Sequence, residues 1–216
     1  MKAVAGNLES GKEVIILLFE QRGEEVVITE EVVKAAAGNE NIREVVLVIL
    51  LAQRGAEVDI TETVVKTAAM CSNVRILKVF ESHFKVFPSM DDWSIANFYN
   101  AAKSGDTDTI LRLLTQGIEP DLKNIRCISP LWVAAARGHL KVVQVLLNTT
   151  LVDVNSRSLS GKSPLFRPAA SGYLEIVKLL LEEGADRNVA DENGDTPCSI
   201  GRKNGHYKIA KLLAGE

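Results

Sequence analysis

The stretch Ser160-Gly161-Lys162-Ser163 contains the residue types that close a phosphate-binding loop. In such a loop a glycine five positions before the Gly-Lys pair lets the backbone wrap a phosphate, and a long helix follows. Here Ser156 occupies that earlier position, and Pro164 follows the stretch at once. We therefore predict a hairpin tip that leads into a helix N-cap, and we expect no bound nucleotide or other cofactor.

Histidine and cysteine side chains could otherwise act as metal ligands, or as a base and a nucleophile. Both residue types are widely dispersed and no Cys-x-x-Cys pair occurs; they are His83, His139, His206, Cys71, Cys127 and Cys198. We therefore expect no metal site, no catalytic residue and no enzyme. The odd number of scattered cysteines is typical of a reducing intracellular compartment.

The composition is that of a folded soluble protein: 46% of the 216 residues are hydrophobic and 25% are charged. The net charge of −3 disfavours binding to nucleic acid by phosphate neutralisation. The apolar run Val14–Phe19 is too short for a secretory signal or a membrane span. We expect a monomer in the cytoplasm, with the nucleus left open, that contacts neither nucleic acid nor membrane.

An internal repeat is the dominant feature of the sequence. The segment QRGEEVVITEEVVKAAA at residues 21–37 returns as QRGAEVDITETVVKTAA at residues 53–69. In the second half a glycine returns at nearly equal intervals, at Gly105, Gly138, Gly172 and Gly205. The two halves share one register, which predicts about seven repeats of roughly 32–34 residues in a single array.

Each repeat has the pattern of a helical hairpin. An Ala-rich segment precedes the glycine, and a segment with apolar residues at helical spacing follows it, as in Leu140 to Leu147. Helices this short do not persist alone in water, so stacking must bury their apolar sides. Ser129-Pro130, Ser163-Pro164 and Thr196-Pro197 each place a capping hydroxyl before a proline, which predicts a helix start. In the first half, Thr29 and Thr61 each precede acidic residues, which predicts a helix start as well.

These features resemble the ankyrin repeat, whose pattern of about 33 residues includes T-P-L-H-x-A. The matching segments are Ser129-Pro130-Leu131-Trp132, Ser163-Pro164-Leu165-Phe166, Thr196-Pro197-Cys198-Ser199 and the loop GADRNVADENGDTP at residues 184–197. The resemblance implies an all-α, ankyrin-type solenoid. Residues 91–216 are predicted to form four ankyrin repeats, continuous with divergent ankyrin-like repeats at residues 1–90.

The first part, residues 1–84, lacks the tetrad and is similar to the degenerate arrays of fungal ankyrin proteins, some of which carry a NACHT NTPase domain. Three further departures concern single positions. The tetrad histidine, which links adjacent repeats in the family, is Trp132, Phe166 and Ser199 here, so some links are expected to be missing. Pro168 lies inside a predicted first helix, where it costs about 3 kcal/mol unless the helix is short or kinked. Met1 aligns in mid-repeat with Val33, which leaves open a stub helix or a longer array.

The resemblance implies protein–protein recognition through a concave surface formed by hairpin tips and first helices, without catalysis. The expected tips are residues 123–128, 157–162 and 191–195. For Trp132 and Phe166, packing between repeats is the open alternative, and the acidic first half is an alternative contact for a basic partner. A sensor or regulatory array of a fungal NACHT-type NTPase is the competing function. The candidate partner-binding residues are Tyr99, Lys123, Arg126, Trp132, Arg137, Arg157, Lys162, Phe166, Arg167, Asp191, Asn193, Asp195 and Asn204.

Overall fold

Helices account for the regular secondary structure of the described part of the chain. The computed structural model describes residues 61–70, 74–84, 89–124 and 126–216, and these contain ten helices and no strand. The all-α prediction is confirmed for these residues. In chain order the helices are α1 (Glu62–Met70), α2 (Val74–Phe84), α3 (Met90–Ser104), α4 (Thr107–Thr115), α5 (Pro130–Arg137), α6 (Leu140–Leu147), α7 (Phe166–Ser171), α8 (Leu174–Glu182), α9 (Pro197–Lys203) and α10 (Tyr207–Ala214).

Two compact units divide the chain, residues 1–97 and residues 98–216, and α3 crosses the division. In the first compact unit α1 and α2 pack together and bury aliphatic and aromatic side chains, including Val64, Ala68, Ile76 and Phe80. α1 begins directly after Thr61, as the sequence predicts. The earlier repeats, with the helix start predicted at Thr29, lie outside the described residues.

In the second compact unit the helices form two rows. The first helices of successive repeats, α5, α7 and α9, contact one another in that order, and the second helices, α4, α6, α8 and α10, do the same. The core lies between the rows, where small residues such as Ala134 meet larger ones such as Val143 and Leu146. Small side chains on the first helices let the two rows approach closely.

Local sequence sets the ends of the first helices. The hydroxyl of Ser129 accepts from the N–H of Trp132 and begins α5, and Thr196 and Ser199 form a reciprocal capping box that begins α9. Gly138 ends α5 with a φ of 80°, a left-handed conformation that glycine adopts without steric cost. These two predicted starts are confirmed.

α7 departs from this pattern, and the start predicted at Ser163-Pro164 is wrong. The helix begins at Phe166, and the Ser163 hydroxyl is buried without a hydrogen-bond partner. Pro168 is the third residue of this six-residue helix. Backbone N–H groups of the first helical turn have no acceptor within the helix, so the missing N–H of Pro168 removes no helical bond. The short-helix alternative is the one observed.

The described residues contain five pairs of consecutive helices, α1/α2 to α9/α10. This arrangement agrees with stacked helical hairpins of the predicted period. The total of seven repeats and the continuity of the two parts as one solenoid stay predictions.

Candidate protein-interaction surface

Three turns of one design precede the first helices α5, α7 and α9. The N–H of Asn124, Ser158 and Asp191 donates to the C=O of Ile128, Lys162 and Asp195, respectively, at 3.1, 3.0 and 2.9 Å. The side-chain oxygen of the first residue also accepts from backbone N–H groups inside each turn. Asn, Ser and Asp are the residue types that make this local bond. We call residues 124–128, 158–162 and 191–195 the tip row; they fall within the predicted tips.

Hydrogen bonds join neighbouring turns of the tip row. The N–H of Leu159 donates to the C=O of Arg126 at 3.0 Å, and the N–H of Glu192 donates to the C=O of Ser160 at 3.2 Å. The guanidinium of Arg157 adds a bond to the C=O of Ala190 at 2.7 Å. The backbone of the tip row is therefore held in place before any partner arrives.

Behind the second and third turns lies a cluster of aromatic and charged side chains. The Lys162 ammonium lies 5.2 Å from the centre of the Phe166 ring and 3.7 Å from a carboxylate oxygen of Asp191. The indole N–H of Trp132 donates to the C=O of Lys162 at 3.3 Å. This bond joins two repeats, so the link expected to be lost with the tetrad histidine is kept at this position.

The side chains at the other two tetrad positions, Phe166 and Ser199, form no hydrogen bond to a described residue of an adjacent repeat. Phe166 has no hydrogen-bonding group in its side chain, and the Ser199 hydroxyl bonds to Asp195 and Thr196 within its own repeat. A different residue also joins repeats: Nε2 of His139 donates to the C=O of Lys103 at 2.9 Å. The histidine after the turn glycine therefore performs a linking role that the sequence analysis assigned to the tetrad alone.

Asp195 is held as a carboxylate at the end of the tip row. The ammonium of Lys203 donates to it at 2.6 Å and the hydroxyl of Ser199 at 3.0 Å. These hydrogen bonds, with that from Lys203 the larger cause, lower the pKa of Asp195 below its ordinary value. The carboxylate is consequently ionised and paired at neutral pH.

Three of the candidate binding residues are buried. The surface exposure expected for Tyr99 and Asp191 is wrong, and Phe166 is buried, in line with the alternative that was left open for it. Tyr99 lies in the core with its hydroxyl 3.1 Å from the C=O of Ile128, which anchors the first turn of the tip row. Phe166 packs beneath Lys162, and Asp191 uses one carboxylate oxygen for the N–H groups of Asn193 and Asp195. Tyr99 and Asp191 each contact a neighbouring repeat, through the hydrogen bond to Ile128 and the ion pair with Lys162, so these groups stabilise the fold.

The remaining candidates lie at the surface or half-buried. Asn204 donates its amide to the C=O of Ala170 at 2.7 Å, which joins α9 to the preceding repeat. Lys123 pairs with Asp121 at 3.3 Å and with Asp153 at 3.4 Å. The exposed ones are Lys123, Arg126, Arg137, Arg157, Arg167, Asn193 and Asn204, and the half-buried ones are Trp132, Lys162 and Asp195.

Leu159 is the surface residue that the sequence analysis missed. It lies in the middle turn of the tip row with 64% of its surface exposed. Its signal in the sequence is a single leucine inside the polar turn Ser158-Leu159-Ser160-Gly161. A large apolar side chain on a fixed, exposed turn offers apolar area for contact with another protein.

Within the described residues no group of His, Cys, Asp and Glu side chains is arranged to hold a metal ion. His139 and His206 lie at the turns before α6 and α10, where their rings pack against Gly105 and Gly172. Every helix in the described ranges is too short or too polar to span a lipid bilayer.

Comparison with known proteins identifies the family. Residues 98–191 and 153–216 match the family model described as ankyrin repeats (3 copies), which covers more than half of the chain. The chain therefore belongs to the ankyrin repeat family, whose members generally mediate protein–protein interaction and are typically non-catalytic.

Residues 1–14, 17–46 and 49–71 match a different family model, described as a domain of unknown function. The last two of these matches are separated by the same offset as the repeated segments that begin at Gln21 and Gln53. The similarity of this part to fungal NACHT-associated arrays stays a prediction.

Among characterised proteins, the chain is similar to human transient receptor potential cation channel subfamily A member 1. The two are 28% identical over 81 residues, which is 38% of this chain and 7% of the channel. The chain thus spans less than a tenth of the length of that relative.

Proposed function

We propose that the protein is an adaptor that binds another protein on the tip row and the adjoining starts of the first helices. The observation that carries the proposal is the exposed Leu159 at the centre of a turn that is bonded on both sides. Exposing leucine to water costs free energy that contact with a partner recovers, at about 25 cal/mol per Å² of apolar area removed from water.

The rigidity of the tip row supports the same function. Binding to a mobile loop costs conformational entropy, whereas the turns that carry Arg126, Leu159 and Asn193 are already closed and joined by hydrogen bonds. A partner that docks there orders little additional backbone. The half-buried indole of Trp132, next to this row, adds aromatic area of the kind enriched at interface centres.

Binding follows from surface complementarity in this proposal and needs no cofactor. The concave side of the solenoid, where tips and first helices meet, is where we place the partner. The residues that contact it are then Leu159, Arg126, Trp132 and Arg167, with the tips of the first and third turns beside them.

The test compares two leucines with similar exposure. Leu159→Ala removes the apolar side chain of the tip row, and Leu151→Ala removes one that is 69% exposed in the loop after α6. Proteins from an extract of the source organism are captured on the wild-type chain and both variants, identified by mass spectrometry, and the retained partner is then purified for a direct binding assay.

We expect the purified partner to bind the wild type and Leu151→Ala equally and Leu159→Ala at least about tenfold more weakly, since the loss of one buried leucine contact is worth about 1.5–3 kcal/mol. Circular dichroism and urea melts must show that both variants fold. Equal binding by both variants would move the site away from the tip row.

A further inference from the structure

Most of the carboxylates on and beside the tip row are already neutralised by lysines. Asp191 pairs with Lys162, and Asp195 pairs with Lys203. At the edge of the first turn, Lys123 serves both Asp121 and Asp153. Three lysines of this surface therefore pair with four aspartates, so nearly all of these charges are compensated within the chain.

The arginines near the tip row, in contrast, are not neutralised by carboxylates. Arg126, Arg137 and Arg167 are exposed, and none of them forms an ion pair with another described residue. Arg157 donates to two backbone carbonyls, those of Gly161 and Ala190, which leave its positive charge uncompensated. Among the described residues of the tip row, Glu192 has the one exposed carboxylate that forms no ion pair.

Two of these arginines, Arg126 and Arg157, lie beside Leu159, and Arg167 lies at the start of α7, the helix that follows this turn. The C=O of Arg126 accepts from the N–H of Leu159, and Arg157 is two residues before it in the same loop. Arg167 directly follows Phe166, whose ring contacts Lys162 of the same turn. An apolar side chain is thus bordered by positive charge on a chain whose net charge is −3.

We infer that the partner segment bound at the tip row is an acidic peptide stretch, rich in Asp and Glu, with an apolar side chain that contacts Leu159. This inference rests on the proposed function. Guanidinium groups bind carboxylates through two parallel hydrogen bonds, a geometry that they also offer to phosphates. Nucleic acid is disfavoured because the tip row offers an aliphatic contact and because the chain as a whole is negative.

The experiment selects peptides from a random display library on four immobilised proteins. These are the wild-type chain, Leu159→Ala, the double reversal Arg126→Glu with Arg167→Glu, and a control reversal Arg112→Glu with Arg187→Glu. The control arginines are exposed too, but they lie on α4 and in the loop after α8. A synthetic peptide of the selected consensus is then titrated against each protein, with a random single-stranded RNA as competitor.

We expect the wild type and the control reversal to select peptides with net negative charge and an aliphatic or aromatic residue. The double reversal should bind the consensus peptide about tenfold more weakly, since two attractive pairs become repulsive, and should itself select basic peptides. The affinity for the wild type should fall as salt is raised.

Selection of neutral or basic peptides on the wild type would overturn the inference. It would also be overturned if RNA displaced the bound peptide at a lower concentration than a second acidic peptide does. Loss of binding in Leu159→Ala with full binding in the double reversal would retain the proposed function and reject the acidic partner. Two outcomes would reject both the tip-row site and the acidic partner. One is equal binding of the consensus peptide by all four proteins, and the other is that the wild type enriches no peptide beyond the level seen with Leu159→Ala.

Discussion

The imidazole of His139 packs against Gly105, the turn glycine of the preceding repeat. A Cβ atom built on Gly105 would come within 2.6 Å of the His139 ring. The same relationship recurs one repeat later between Gly138 and the ring of Tyr173, and again between Gly172 and the ring of His206. Gly105, Gly138 and Gly172 are therefore each required for two reasons: the left-handed backbone of the turn, and the space that the ring of the next repeat occupies.

Gly105→Ala should destabilise the protein more than Gly117→Ala. Both glycines have positive φ, 80° and 88°, so alanine is strained by about 1–2 kcal/mol at either position. Only at Gly105 must the His139 ring also move, which adds about 1 kcal/mol or more. Urea denaturation of the two variants measures the difference, and equal losses would show that the ring contact carries no energy.

Cys127→Gly should stabilise the protein. Cys127 has a φ of 56° at the position where the other two turns of the tip row have Gly161 and Gly194, with φ of 75° and 79°. Relief of the left-handed strain outweighs the extra freedom of glycine in the unfolded chain and leaves a gain of about 0.5–1 kcal/mol. Cys127→Ala removes the thiol without relieving the strain and is the control; a glycine variant no more stable than the alanine variant would refute the prediction.

Pro168→Ala should leave the free energy of unfolding within about 0.5 kcal/mol of the wild type, because the first turn of α7 requires no N–H at this position. Ala135→Pro, in the interior of α5, provides the contrast and should cost about 3 kcal/mol or more. Both are measured by urea denaturation. A marked loss in Pro168→Ala would indicate that the proline is needed to start the short helix.

Leu146→Ala should cost about 2–5 kcal/mol, because Leu146 is fully buried in α6 within the core between the two rows of helices. The exposed Leu151 is the matched control, and Leu151→Ala should change stability by less than about 0.5 kcal/mol. Chemical denaturation measures both. A loss below about 0.5 kcal/mol in Leu146→Ala would contradict the register of the second helices.

The pKa of Asp195 should rise toward its ordinary value in Lys203→Met, since Lys203 is the main cause of its lowering. A carboxyl group with a lowered pKa stabilises the folded state above the ordinary pKa, and this contribution is lost as the pH falls through the lowered value. NMR titration of the Asp195 carboxyl follows the change. Lys208→Met removes an exposed lysine from α10 as the control, and an identical titration in both variants would exclude the Lys203 hydrogen bond as the cause.

The repeat architecture could be predicted because each repeat contains its own residues for starting and ending helices. Ser129-Pro130 and Thr196-Pro197 mark helix starts through bonds between residues three apart, and Gly138 marks a helix end through its own backbone. The failure at Ser163-Pro164 has a local cause as well. Pro168 shifts the start of α7 to Phe166, and the hydroxyl of Ser163 is left without a partner.

The helical hairpins, their period and the position of the tip row follow from the sequence alone, because these features depend on residues close together along the chain. Which side chains of the surface are available to a partner depends on the packing between repeats. Tyr99 and Asp191 are buried and Leu159 is exposed because packing against a neighbouring repeat covers some register positions and leaves others open. Burial of this kind is set by residues one repeat away along the chain, as in the bond from Trp132 to Lys162, and a single repeat carries no signal of it.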